Sequence, residues 1–169
     1  MFNDDLAENF LAYSVTRLVQ FQTTIASCCQ LLTEEQMWHR GGDHENSIAN
    51  LLLHLSGNLG QLILHRIYGA PDIRDRDVEF SLIGTHSAAE AYRLFKDVSQ
   101  QAANLIASTP HERLLEIVNP QPSGTWNHAT VLEVIYRAVS HVDHHTGQII
   151  LLTKQMVRTD LDLSTPPKR

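Results

Sequence analysis

Two histidines near the C-terminal end of the chain, His141 and His145, have the spacing of a metal-chelating pair on a helix. Residues four apart on an α-helix lie on one face about one turn apart, so both imidazoles can reach the same ion. The pair is a weak signal alone, because ten histidines in 169 residues produce such spacings by chance. Hydrogen bonding at the edge of a core would also explain it. A third ligand is needed to indicate a site.

A strip of uncharged polar residues on a leucine-rich segment offers that third ligand. Its members fall near one line of a helical wheel: Ser47, Asn50, His54, Asn58, Gln61 and His65. A solvent-facing strip normally carries lysines and glutamates, and this one has none. Uncharged groups suit a partly buried polar cavity, where an unpaired charge would be costly. The strip favours such a cavity, with a solvent face as the alternative, and His54 lies in its middle.

Neighbours of the candidate ligands have spacings that suit supporting roles. Asn58 follows His54 by one turn, Gln148 follows His145 by one turn, and Asn50 precedes His54 in the same strip. We predict that these three residues line the pocket or support the ligands. His144 points to the polar side of its helix and is not expected to bind metal. A di-iron carboxylate site is excluded, because no glutamate has a histidine three residues later.

No general base is evident in the sequence. Asp43, Glu45 and His39 precede the second helix and could border the site, although acidic groups there are better explained as caps of a helix N-terminus. Arg74 and Arg76 could receive an anionic substrate, but a salt-bridged loop explains them better.

Four long segments with helical periodicity must position these residues, and no segment alternates like a strand. Capping-box patterns mark the start of the third and fourth helices and of a short helix after the first. Longer connections are predicted at residues 70–86 and 120–125. The predicted helices cover residues 6–32, 47–67, 87–108 and 130–156, and the capping boxes begin at Thr33, Ser87 and Thr130. This pattern predicts an all-α fold, a four-helix bundle with long crossover connections.

The composition is that of a globular protein with a single domain. Apolar residues make up 43% and charged residues 19% of the chain, with a net charge of −6. That balance argues against nucleic-acid binding, which requires a basic surface. No signal peptide or membrane span is predicted. Adjacent Cys28 and Cys29 indicate buried thiols in a reducing cytoplasm, with a redox-active pair as the alternative. We expect one domain over residues 1–160 and a flexible tail over 161–169.

Three segments together resemble the DinB/YfiT-like superfamily, and within it the DUF1572 branch of uncharacterised bacterial proteins. They are ENSIANLLLHLSGNL at residues 45–59, GAPD with a following RDR at residues 69–76, and HxxxHTGQI at residues 141–149. The resemblance implies a four-helix bundle, often a homodimer, with a divalent metal held by one histidine of the second helix and two of the fourth. In this sequence those residues are His54, His141 and His145.

The resemblance leaves the reaction open. Some members of the superfamily are transferases and isomerases that use a low-molecular-weight thiol, and many have no known activity. We therefore expect a cytoplasmic, metal-dependent transferase or hydrolase acting on a small molecule, with a metal-activated thiol or water as nucleophile. Zinc and nickel both suit three imidazoles. The alternative is a bundle without catalytic activity that binds metal or mediates dimer contacts.

Overall fold

The structure is a computed structural model and describes residues 2–81, 86–118 and 128–163. Within these ranges it contains six α-helices, a π-helical segment and a 3₁₀ turn, with one isolated β-bridge between Ile117 and Thr130. The predicted all-α class is confirmed. The predicted connection over residues 120–125 and residues 164–169 of the predicted tail lie outside the described residues.

The helices begin where the sequence provides caps. Ser87 and Thr130 each accept a hydrogen bond from the backbone N–H three residues on, and their own backbone N–H groups donate to the carboxylates of Glu90 and Glu133. Thr33 and Ser47 form the same reciprocal box with Gln36 and Asn50. The helices are α1 (Phe2–Gln30), α2 (Glu34–Trp38), α3 (Ile48–Leu59), α4 (Arg76–Ser81), α5 (Ala88–Ala107) and α6 (Val131–Val157), with the 3₁₀ turn at His111–Leu115.

The four long helices pack in a ring. The principal contacts join α1 to α5, α5 to α3, α3 to α6, and α6 back to α1. Large apolar side chains from all four helices fill the space between them because burying them removes apolar surface from water. The fully buried side chains include Leu18 and Ile25 of α1, Leu51 and Leu55 of α3, Phe95 and Ile106 of α5, and Ile135 and Ile149 of α6.

Two segments differ from the sequence predictions, and both lie beside the candidate site. The second predicted helix continues past α3 as a π-helical segment, Gly60–Ile67, and ends at Gly69, whose φ of 77° suits glycine. The predicted loop over residues 70–86 contains α4, which packs against α3. Asp75 starts α4 because its carboxylate accepts the backbone N–H of Val78 at 3.1 Å.

Within the described part of the chain, no helix combines the length and the apolar character that crossing a bilayer requires.

Candidate metal centre

The structure brings together the three predicted histidines, one from α3 and two from α6. The ring centroids of His141 and His145 lie 4.5 Å apart, and each lies 5.0 Å from that of His54. One ring nitrogen from each residue falls within 4.8 Å of the other two. His54 is buried, and the two α6 histidines are half-buried. These imidazoles surround a common point between the two helices.

Hydrogen bonds to the other ring nitrogens decide which atoms remain for a metal. His54 Nδ1 lies 2.9 Å from Glu79 Oε2, and His145 Nδ1 lies 2.7 Å from Gln148 Oε1. Since a carboxylate and an amide oxygen only accept, we assign the proton of each ring to Nδ1. Each Nε2 then keeps its lone pair. His54 Nε2 lies 2.9 Å from His141 Nε2, so the Nε2 atoms of these two rings point toward each other.

Glu79, the partner of His54, is itself held by Arg74. The Arg74 Nε donates to Glu79 Oε1 at 2.7 Å, and Nη2 donates to Oε2 at 2.9 Å. Both side chains are only 8% exposed. This two-point contact fixes the plane of the carboxylate. A chain of contacts from Arg74 through Glu79 to His54 therefore holds the His54 imidazole in position.

Gly57 makes room for this chain of contacts. A Cβ at that position would lie 1.9 Å from Glu79 Oε1 and 3.1 Å from Arg74 Nε. Only glycine allows the carboxylate to approach the α3 backbone so closely. The glycine one turn after His54 is thus part of the site's support.

The electrostatic environment keeps two of the imidazoles neutral. Burial lowers the pKa of His141 to about 3, and repulsion from His145 and His54 adds to that effect. Burial also lowers the pKa of His145, although its hydrogen bond to Gln148 works in the opposite direction. Neutral imidazole is the form that binds a metal. Both α6 histidines are consequently ready to act as ligands at neutral pH.

Glu79 carries a negative charge beside the site. Burial alone would raise its pKa, but hydrogen bonds from Arg74 and His54 outweigh that effect and hold the pKa of Glu79 below its ordinary value. An ionised carboxylate behind a histidine ligand makes the imidazole more basic and orients it, as in carboxylate–histidine–zinc arrangements.

The residues present fit a divalent ion such as zinc. A tetrahedral zinc with bonds of about 2.0–2.1 Å to imidazole would place its ligand nitrogens about 3.3 Å apart, between the 2.9 Å and 4.8 Å separations described above.

Asn58, one turn from His54, has a buried side-chain oxygen without a hydrogen-bond partner among the described residues. Such an orphaned acceptor calls for a polar group that protein atoms do not supply.

The polar strip of α3 is buried rather than solvent-facing. Ser47 and Asn50 are fully buried, His54 and Asn58 nearly so, and Gln61 is half-buried. The sequence interpretation in favour of a polar interior therefore agrees with the structure.

The predicted supporting residues are placed differently from one another. Gln148 contacts His145 directly. Asn50 reaches the site through backbone, since its Nδ2 donates to the carbonyl of Glu79 at 2.9 Å. His144 is exposed and lies 3.5 Å from the Gln148 amide, outside the three-histidine group.

The sequence suggested that the acidic loop residues before α3 cap that helix, and this prediction was wrong. Ser47 is the cap, and Glu45 instead accepts the backbone N–H of Gly41 at 2.9 Å. The salt-bridged interpretation of Arg74 is correct, with Glu79 as its partner. Arg76 stacks over Phe80 at 5.3 Å.

Glu79 is the functional residue that sequence reasoning missed. It lies in the stretch predicted as a loop, 25 residues from His54, so no helical spacing connects the two. One signal was present: Asp75 is a suitable N-cap, and a helix starting there carries Glu79 on its first turns. The contact with His54 itself depends on how α4 packs on α3.

Comparisons with known proteins identify the family of this chain and a solved structure with a similar fold. A family model described as "Protein of unknown function (DUF1572)" matches residues 5–169. No match was found among curated proteins. A crystal structure described as a conserved protein of a locus from Enterococcus faecalis is similar, with a TM-score of 0.56 and 16% identity. The alignment covers 92% of this chain and 97% of that one, and at such identity it supports the fold alone.

Proposed function

This chain belongs to the DUF1572 family, and from its site we propose a metal-dependent enzyme that acts on a small molecule. The supporting observation is the convergence of three imidazoles with ligand atoms within 4.8 Å. Three protein ligands leave a coordination position for a substrate or water, which is typical of catalytic zinc sites, whereas structural sites have four.

The chemistry of the proposal follows from the ligand charges. A divalent metal held by neutral imidazoles keeps its full positive charge and lowers the pKa of a bound thiol or water, which supplies a nucleophile. In this chain, Glu79 and Gln148 hold protons at Nδ1 of His54 and His145 and so keep each Nε2 directed inward.

The reaction class in this proposal is transfer or hydrolysis, with a low-molecular-weight thiol as co-substrate. The proposal also includes the DinB/YfiT arrangement of the four long helices, a homodimer and a cytoplasmic location. Its metal ion is zinc or nickel. The ring of four helices supports the bundle.

A second candidate function is a metal-binding bundle without catalysis. One observation favours it: the cavity of about 520 Å³ next to the site is lined by Arg74 and Glu79, and the three histidines are not part of its lining.

Metal content tests the proposed site. Protein purified without chelator is analysed for metals, alongside His54→Ala, His141→Ala and His145→Ala. The matched control is His144→Ala, on the same helix but outside the group. We expect about one ion per chain in the wild type and the control, and a loss in the three variants. Wild-type protein that contains no metal and does not bind added Zn²⁺ or Ni²⁺ would refute the proposal.

A thiol titration then separates the two candidate functions. Cobalt-loaded protein is titrated with 2-mercaptoethanol while its absorption spectrum is recorded. A new thiolate-to-cobalt band would show an accessible position and support the enzyme. An unchanged spectrum would favour the binding protein.

A further inference from the structure

A cavity of about 520 Å³ is lined by the Arg74–Glu79 pair, whereas His54, His141 and His145 are not among its lining residues. Its walls come from the end of α3 and the π-helical segment, from residues 70–79, and from α5. This volume is within the range of about 300–1,000 Å³ that small-molecule sites occupy. We refer to it as the α3–α5 cavity.

The lining of the α3–α5 cavity is mainly apolar, and part of it is open to solvent. Ile73 is 92% exposed, Leu94 is 46% exposed and Val78 is 42% exposed, and all three lie on its wall. Exposing three large apolar side chains around one concave surface costs free energy in water. An apolar ligand seated between them would remove that cost.

Gly60 keeps the α3–α5 cavity open. It lies on the wall where the α-helix changes to a π-helix, and a Cβ there would meet no atom of the other described residues within 4 Å, the helix's own backbone aside. Its backbone is ordinary right-handed helix, with φ −57° and ψ −48°. Glycine weakens a helix compared with alanine, and here neither crowding nor backbone conformation requires it. π-Helical segments are also frequent at functional sites. A need for free space in the cavity explains the glycine.

The charged groups of the cavity favour a cation. Arg74 and Glu79 neutralise each other. Asp72 and Asp75 also line the wall, and their carboxylates accept hydrogen bonds from neutral amides, those of Gln61, Arg74 and Val78. Neutral donors leave the negative charge of both aspartates in place, so the wall of the cavity carries a net negative charge.

We propose that the α3–α5 cavity is a binding site for a small molecule with an apolar body and a protonated amine. The apolar body would contact Leu94, Val78 and the open space at Gly60, and the amine would lie near Asp72. The proposal does not require the metal, because His54, His141 and His145 do not line this cavity.

The test uses two fluorescent probes of the same shape and opposite charge, 1-naphthylmethylamine and 1-naphthoate. Wild type is compared with Gly60→Leu, which fills the cavity, and with Asp72→Asn, which removes one charge. Gly147→Leu is the matched control, because it is also a glycine in a helix with open space around its Cβ and does not line the cavity. Circular dichroism checks that each variant folds.

We expect saturable binding of the amine, at least tenfold tighter than that of the carboxylate. Gly60→Leu should abolish binding, Asp72→Asn should weaken it severalfold, and Gly147→Leu should leave it unchanged. Chemical shifts of the wild-type backbone amides during titration locate the probe without any substitution, which keeps the test valid if Gly60→Leu fails to fold.

Three outcomes of the probe titrations would overturn the proposal. They are no saturable binding of the amine, equal or tighter binding of the carboxylate, and shift changes that map away from Gly60 and Leu94. Self-association that Gly60→Leu abolishes, without probe binding, would identify a second copy of the chain as the occupant and would also overturn it.

Discussion

At the scale of single residues, His54 is held on its Nδ1 side by a carboxylate that is itself clamped. The Glu79 carboxylate accepts one hydrogen bond from His54, at 2.9 Å, and two from Arg74. The side chains of His54 and Glu79 are both buried. An imidazole fixed in this way loses little freedom when it binds a metal. The ligand's orientation is therefore set by residues of the segment between α3 and α5.

The first prediction concerns Glu79→Gln, which keeps the side-chain shape and removes the charge. We expect metal affinity to fall by about 10- to 100-fold, the usual effect of losing an outer partner of a histidine ligand. Competition titration with a chromogenic chelator measures it. Glu116→Gln, which disrupts an exposed ion pair with Arg113, is the control and should change nothing. Equal affinities of Glu79→Gln and wild type would disprove the role of Glu79.

The second prediction compares two glycines three residues apart on one helical segment. Gly57→Ala forces Glu79 away from α3 and should destabilise the protein by about 1–3 kcal/mol, as overpacking does, while weakening metal binding. Gly60→Ala meets open space and should stabilise the metal-free protein by up to about 1 kcal/mol through helix propensity. Urea unfolding of both variants checks the opposite signs; the same sign for both would contradict this account.

At the scale of elements, α3 is the helix whose N-terminus is coupled to the site. Its cap, Ser47, is buried together with Asn50, and Asn50 also bonds the Glu79 carbonyl. The Arg40 guanidinium donates to the Asn50 side chain at 2.6 Å and to the Phe80 carbonyl at 2.7 Å. The buried cap of α3 is thus hydrogen-bonded, through Asn50 and Arg40, to the backbone at the end of α4.

The third prediction is that the α3 cap contributes more than an exposed cap of the same chemistry. Ser47→Ala should cost about 2 kcal/mol, the upper end for N-caps, because it leaves the buried backbone N–H of Asn50 without its acceptor. Ser87→Ala, at the exposed start of α5, should cost about 1 kcal/mol. Denaturant unfolding gives both values. A larger cost for Ser87→Ala would show that burial does not strengthen the cap.

The fourth prediction is the pH dependence of the α5 capping box. Hydrogen bonds to Ser87 lower the pKa of Glu90 from its ordinary 4.5. A lowered carboxyl pKa gives stability that is fully present above the unfolded-state value and is lost as pH falls through the folded-state value. The stability advantage of wild type over Glu90→Gln should therefore be constant near pH 7 and shrink below about pH 4.5. An advantage that grows on acidification would contradict it.

At the scale of the whole molecule, the candidate metal centre lies between two helices, α3 and α6, that are far apart in the sequence. His54 belongs to α3 and the other two histidines to α6, which α3 contacts within the ring of four helices. An ion bound by both helices stabilises only the folded protein, because His54 and His141 are 87 residues apart and do not lie close together in the unfolded chain.

The fifth prediction is that metal binding raises the melting temperature. At a free metal concentration 1,000 times Kd, the stabilisation is about 4 kcal/mol, or about 10 °C for a chain of this size. Calorimetry with and without zinc measures the shift, and EDTA should reverse it. His54→Ala should show little shift, whereas His144→Ala should respond like wild type. A full shift in His54→Ala would place the ion elsewhere.

The sequence by itself determined what depends on neighbours along the chain. Three capping boxes, at Thr33, Ser87 and Thr130, the end of the second helix near Gly69 and the placing of His141 and His145 on one face are all decided within a few residues. The uncharged strip around His54 also indicated a buried polar face, because charges are too costly there.

Only the tertiary structure decided which distant groups meet. The contact of His54 with Glu79 depends on α4 packing against α3, and the contact of His54 with His141 depends on how α3 lies against α6. Such contacts are set by the fit of apolar side chains across the whole core, which has no signature at fixed spacing in the sequence. The same fit left the space at Gly60 open. The candidate ligands could thus be predicted from local patterns and the resemblance, whereas the residues that support them and the neighbouring cavity could not.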